Sequence, residues 1–170
     1  MYQYKYCSNC GELFDKKSDI FFVCPKCDFR IFVSPKPSVG VILFDSDNRI
    51  LFTKRNYEPG KGLWGIPGGF IDPDETAKQA LIREVREELG LNIETFEYFG
   101  SYTGNYLHKG VNYKVVNAIF TAKMPINKTI KLSEESSEFK FFEIENIPVD
   151  LLAPEDLKKA IVELIESKHH

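Results

Sequence analysis

The sequence predicts an α+β domain, layered as helix, sheet and helix, behind a short cysteine-rich ribbon. Three observations predict it. All four cysteines lie in the first 27 residues, as Cys7-x-x-Cys10 and Cys24-x-x-Cys27. Short β-branched and apolar runs recur from Val39 to Ile144. Two stretches, about Glu75–Leu89 and Pro154–Ser167, carry the 3.6-residue period of amphipathic helices. Strands with two interspersed helices indicate an α+β or layered α/β/α domain.

The length of 170 residues suits one domain with a small appendage, divided here as residues 1–34 and 35–170. Charged residues at 28% and aromatics at 14% exclude disorder, collagen and coiled coil. A net charge of −3 argues against wholesale nucleic-acid binding. No apolar run approaches the roughly 20 residues of a membrane helix. Met1-Tyr2-Gln3-Tyr4-Lys5 has no apolar signal region. The expectation is a soluble, cytoplasmic chain with no membrane partner.

The paired knuckles supply four thiolates at a spacing that suits tetrahedral zinc, with Cys7, Cys10, Cys24 and Cys27 as ligands. Two disulfides are the alternative, disfavoured in a reducing compartment. Gly11 and Asp28 follow the knuckles, where positive φ lets backbone amides face sulfur. A ribbon this small draws most of its folding energy from the metal, and four protein ligands leave no open position for catalysis. Ser34-Pro35-Lys36-Pro37 reads as an extended linker.

Val39–Asp45 and Ile50–Lys54 flank Asp45-Ser46-Asp47-Asn48 and read as a hairpin. Asn56–Gly62, with Pro59 and Gly60, reads as a loop, and Trp64–Phe70 as glycine-punctuated strand or turn. The first helix is entered through Asp72-Pro73-Asp74 and closed by Gly90. Ile93–Tyr102, Val115–Ala122 and Glu138–Ile144 read as strands. The last helix puts Leu157, Ile161, Leu164 and Ile165 on one face. Trp64 and Phe70 are expected in the core, and His108 in an exposed loop.

Charge is unevenly spread. Asp72 to Glu97 holds eight carboxylates, whereas no carboxylate occurs between Glu97 and Glu134, where Lys109, Lys114, Lys123 and Lys128 fall. On a wheel of about 100° per residue, Glu84, Glu87 and Glu88 share one arc beside the stripe Leu81, Ile82, Val85 and Leu89. Like charges three or four positions apart cost about 0.2–0.5 kcal/mol per pair, so three together need a counter-charge. Mg²⁺ or Mn²⁺ answers that need; Arg83 and Arg86 on a solvated face are the alternative.

Gly69-x5-Glu75-x7-Arg83-Glu84-Val85-x-Glu87-Glu88-x-Gly90-Leu91 resembles the Nudix box at every defined position. The resemblance runs from about Lys36 to Pro148, and the ribbon resembles that of NADH-pyrophosphatase-like members. It implies a Nudix α/β/α sandwich with a mixed sheet, a small zinc ribbon before it, and a homodimer. It also implies Mg²⁺- or Mn²⁺-dependent hydrolysis of a nucleoside diphosphate linked to another moiety, ADP-ribose or an NAD(H)-type dinucleotide. By matching position the resemblance makes Glu84, Glu87, Glu88 and the Gly68 carbonyl metal ligands, with Arg83 orienting the carboxylates and Glu75 a structural partner. Many members draw a general base from a later loop; Glu135 is the first choice here and Glu138 the second.

NADH-cleaving relatives carry a Ser-Gln-Pro-Trp-Pro-Phe-Pro-x-Ser signature after the box, where this chain has Ser101-Tyr102-Thr103-Gly104-Asn105-Tyr106-Leu107. Tyr102, Tyr106 and Tyr113 beside Lys109 and Lys114 suit base stacking and phosphate attraction, or else half-buried strand positions. A nucleic-acid-binding or regulatory module with weak or no hydrolysis remains the alternative function. The isomerase branch of the superfamily uses a core cysteine, and every cysteine here belongs to the ribbon.

Overall fold

The computed structural model describes residues 4–16, 20–126 and 128–168. His169 and His170, which carry no part of the sequence reading, lie outside the described residues. The N-terminal ribbon is a three-stranded antiparallel sheet of β1 (Asp15–Lys16), β2 (Phe21–Val23) and β3 (Arg30–Phe32). Tyr4 and Phe14 pack their rings on buried Phe22.

A seven-stranded mixed sheet follows: β4 (Lys36–Phe44), β5 (Ile50–Arg55), β6 (Trp64–Gly65), β7 (Gly68–Phe70), β8 (Glu97–His108), β9 (Val111–Lys123) and β10 (Ser136–Phe142). Its path is β10-β5-β4-β9-β8, with β6 on β5 and β7 on β4. Among the described strands, β4 and β9 are the parallel pair. Helix α1 (Ala77–Leu89) covers one face and α2 (Glu155–Ser167) the other.

Alternation along β4 sorts the two cores. Val39, Val41 and Leu43 meet Leu81, Val85 and Leu89 of α1, while Ile42 meets Leu157, Ile161 and Leu164 of α2. Among the described residues no helix is long and apolar enough to cross a membrane.

Several elements differ from the sequence reading. Lys36 and Pro37 open β4 rather than forming a linker; a proline fits the first positions of a strand, where its missing N–H costs little. The β4–β5 hairpin is paired only at Phe44↔Ile50, because β7 and β6 take the remaining edges antiparallel. Thr76, not the Asp72–Asp74 segment, caps α1: its hydroxyl accepts from the Gln79 amide, and the Gln79 side chain accepts from the Thr76 amide. Ile93 is buried without being in a strand.

The β8–β9 hairpin is much longer than expected, closing on Lys109 and Gly110, both at positive φ. His108 is thus a strand residue, not a loop residue.

Candidate active site

Gly90 ends α1 in the left-handed conformation, with φ of 66°, so the carboxylate arc occupies the helix's last two turns. Above it, β7 brings the backbone of Gly68 and Gly69 onto the acidic face. The Gly68 amide donates to Glu88 Oε1 at 2.8 Å, fixing a carboxylate that is only 7% exposed. A Cβ on Gly69 would run into the Glu84 carboxylate, and one on Gly68 into the Val39 carbonyl and Gly40. Bare backbone is therefore what lets strand and carboxylates approach so closely.

Arg83 ties the set together. Its Nε and second guanidinium nitrogen bind Glu75 as a fork at 2.8 and 2.9 Å. The other nitrogen donates to Glu84 at 2.7 Å and Glu87 at 3.0 Å, and a further bond reaches the Phe70 carbonyl at 3.1 Å. Arg83 thus bridges Glu75 to the carboxylates of Glu84 and Glu87.

Burial pushes the Glu88 carboxyl up to about 8, helped by the charges of Glu84 and Glu135 and opposed by the Gly68 amide and Arg55. Burial also raises Glu84, against the pull of Arg83. Three hard oxygen donors on one arc, two of them disfavoured as bare anions, are a donor set that fits Mg²⁺ or Mn²⁺.

Glu135 lies on the exposed loop before β10, and its charge acts on both Glu84 and Glu88. Glu138 instead stands in β10 opposite Lys54, with its carboxylate 3.5 Å from that ammonium. The structure therefore brings the first-choice base to the carboxylates and ties the second to the sheet edge.

The three sequence-named substrate residues separate. Tyr106 lines a cavity of about 350 Å³ with Lys36, Phe70, Ile71, His108 and Tyr113, its ring edge-on to Phe70 at 5.4 Å. Phe70, expected in the core, is 40% exposed here, because its neighbour Gly69 takes the inward place over Glu84. Trp64 is buried as expected. Tyr102 lies under α2, stacked on Phe99 and donating to Glu163 at 2.9 Å; burial and that carboxylate raise its pKa. Lys109 occupies the hairpin turn, outside the cavity's lining.

Arg55, missed by the sequence reading, reaches Glu88 by charge while its Nε donates to the Pro59 carbonyl. The available signal was a cation closing a strand whose first four residues are buried.

In the ribbon, all four sulfurs lie within 4.8 Å of one another and form no disulfide. Cys7–Cys27 and Cys10–Cys24 are 3.7 and 3.5 Å apart, against about 3.8 Å between tetrahedral ligands at the usual Zn–S length. Gly11 and Asp28 adopt positive φ, and their amides close the knuckles onto the Cys7 and Cys24 carbonyls. The Asn9 and Phe29 donors pull Cys27 down to about 6. The cluster fits zinc in size and chemistry.

Residues 34–164 match the NUDIX domain. The chain belongs to the NUDIX family. It is 31% identical to the ADP-ribose pyrophosphatase of Methanocaldococcus jannaschii over 120 residues, covering 71% of this chain and 69% of that one. It is 25% identical to the NAD-capped RNA hydrolase NudC of Stutzerimonas stutzeri, covering 95% of this chain and 56% of the other. This NUDIX chain thus spans little more than half the length of that relative. A crystal structure of a NUDIX hydrolase from Nitrosomonas europaea superposes with a TM-score of 0.76 at 28% identity, covering 98% and 93% of the two chains.

The site makes Gly69→Ala a sharp test of carboxylate placement. The new Cβ meets the mobile end of Glu84, so the carboxylate gives way before the backbone does. Turnover should fall by about tenfold or more while the melting temperature holds to within a few degrees. Unchanged turnover would show that the position of Glu84 is immaterial.

Proposed function

We propose that this chain is a Mg²⁺- or Mn²⁺-dependent pyrophosphohydrolase that cleaves a nucleoside diphosphate linked to another moiety, with ADP-ribose or an NAD(H)-type dinucleotide as substrate. The observation that carries the reading is the Glu84–Glu87–Glu88 arc, oriented by Arg83 and roofed by Gly68 and Gly69. Glu84, Glu87, Glu88 and the Gly68 carbonyl would hold the cation. The cation held there would supply the charge that neutralises pyrophosphate oxygens and lowers the pKa of a water. Arg83 keeps the carboxylates apart and aimed, and Glu135 accepts the proton of the attacking water.

The relatives named for ADP-ribose and NAD-capped RNA support a nucleoside diphosphate substrate. The cavity at Phe70 and Tyr106 suits a base ring, with Lys36 beside it for phosphate. Residues 1–34 are proposed as a structural zinc ribbon appended to the catalytic domain of residues 35–170. The chain is further proposed to act in the cytoplasm and, by family resemblance, as a homodimer; light scattering on the full chain would check the homodimer.

The test is product chromatography after incubation with Mg²⁺, then Mn²⁺, across ADP-ribose, NADH, NAD⁺, FAD, diadenosine polyphosphates, nucleotide sugars and nucleoside triphosphates. The expected result is cleavage of ADP-ribose to AMP and ribose 5-phosphate, or of the dinucleotides to two mononucleotides. No product anywhere in the panel would contradict the proposal and favour a binding module.

A further inference from the structure

We propose that Asn56 is a positioning residue for Glu135, holding the loop that carries this carboxylate against the last turn of α1. The inference rests on Glu135 being the proton acceptor proposed above. An exposed glutamate has many rotamers, and it can take a proton from one fixed direction only if its backbone is fixed first. The loop before β10 is clamped on both sides of that residue.

On the upstream side, the Lys131 amide donates to the Leu89 carbonyl at 2.8 Å and the Ser133 amide to the Glu88 carbonyl at 3.0 Å. These are carbonyls that a helix C-terminus leaves without intrahelical partners. Ile130 and Leu132 pack on the α1 core beside them. The loop is therefore bonded to the backbone of the same residue, Glu88, whose carboxylate feels the charge of Glu135. Opposite these, Asn56 follows the end of β5 and spans two consecutive carbonyls, one on each side of the Glu135 Cα. Its backbone amide donates to Glu135 O at 2.8 Å, and its Nδ2 donates to Glu134 O at 2.9 Å. Between the clamps, the Glu135 amide donates to Ser133 Oγ at 3.3 Å.

Most of this network is backbone and indifferent to side-chain identity. The exceptions are Ser133 Oγ and the Asn56 side-chain amide, and the latter is a neutral donor to a main-chain oxygen. Removing it loosens the geometry of Glu135 and leaves its charge environment alone. Loss of Nδ2 should therefore lower kcat without moving the pH profile.

The experiment is a double-mutant cycle in Mg²⁺ on whichever panel substrate the wild type cleaves, with N56A, E135Q and the double variant, each also melted. N56A should lower kcat by about tenfold, with KM within about twofold and an unmoved pH profile. In the E135Q background the same change should cost nothing further, since there is no longer a base to position. An unchanged kcat in N56A, or an equal loss in both backgrounds, would overturn the inference while a slow E135Q still upheld the base. Full activity in E135Q would remove the base and this inference together. If N56A does not fold, S133A, which deletes the acceptor for the Glu135 amide, takes its place in the cycle with the same two readings.

Discussion

Glu88→Gln should lower turnover by about two to three orders of magnitude and, in the same protein stripped of divalent ions, raise stability at alkaline pH. Both effects come from one buried carboxylate. Glutamine keeps an oxygen for the Gly68 amide, so β7 stays in place, but it supplies no charge to a cation. In the metal-free wild type the folded-state value of about 8 stands above the ordinary 4.5. Ionising Glu88 in the folded protein is therefore costly. Its favourable contribution is complete below about pH 4.5 and is lost as pH rises through about 8, by an amount of order a few kcal/mol. In EDTA the variant and wild type should melt together near pH 4, whereas near pH 9 the variant should melt several degrees higher. Near-normal turnover would sink the metal assignment, and equal melting temperatures at both pH values would contradict the burial argument.

Cys24→Ser should release zinc and destabilise the ribbon. Cys24 is 1% exposed, and its sulfur sits 3.5 Å from that of Cys10. With few apolar residues to bury, the ribbon would take most of its stability from the proposed zinc, for which zinc-finger peptides give about 10–16 kcal/mol. Removing one of four thiolates should drop zinc well below one per chain by elemental analysis and lower the melting temperature. If both stay unchanged, the four cysteines hold no structural zinc.

How much of this was legible in the sequence follows from how local each constraint is. The carboxylate arc, its register on α1 and the Gly90 terminus were readable because each depends on residues within one or two turns. The knuckles were readable for the same reason. The N-cap was not, since Asp72 and Asp74 compete with Thr76 as cap residues and only the reciprocal Gln79 bond decides.

The length of β8 was hidden by Gly104, which looks like a breaker just past the expected end at Tyr102; Gly100 lies inside the expected strand. In the folded chain each leaves room for a group packed against it, the Tyr102 ring at Gly100 and the Asp156 carboxylate from α2 at Gly104. Gly104 serves close packing with α2, and Gly100 leaves room for the Tyr102 ring, whose bond to Glu163 of α2 draws it away from the cavity that Tyr106 lines. The fastening of the Glu135 loop was likewise illegible, because it joins Asn56 to residues almost eighty positions away.

The most direct test of the central claim, that the α1 carboxylates hold a divalent ion, is Mn²⁺ titration followed by electron paramagnetic resonance on zinc-loaded protein. Wild type should remove the free-ion signal in proportion to protein, and a Glu84→Gln/Glu87→Gln/Glu88→Gln variant should leave it intact. Equal Mn²⁺ uptake by a folded triple variant, or no uptake by the wild type, would contradict the account.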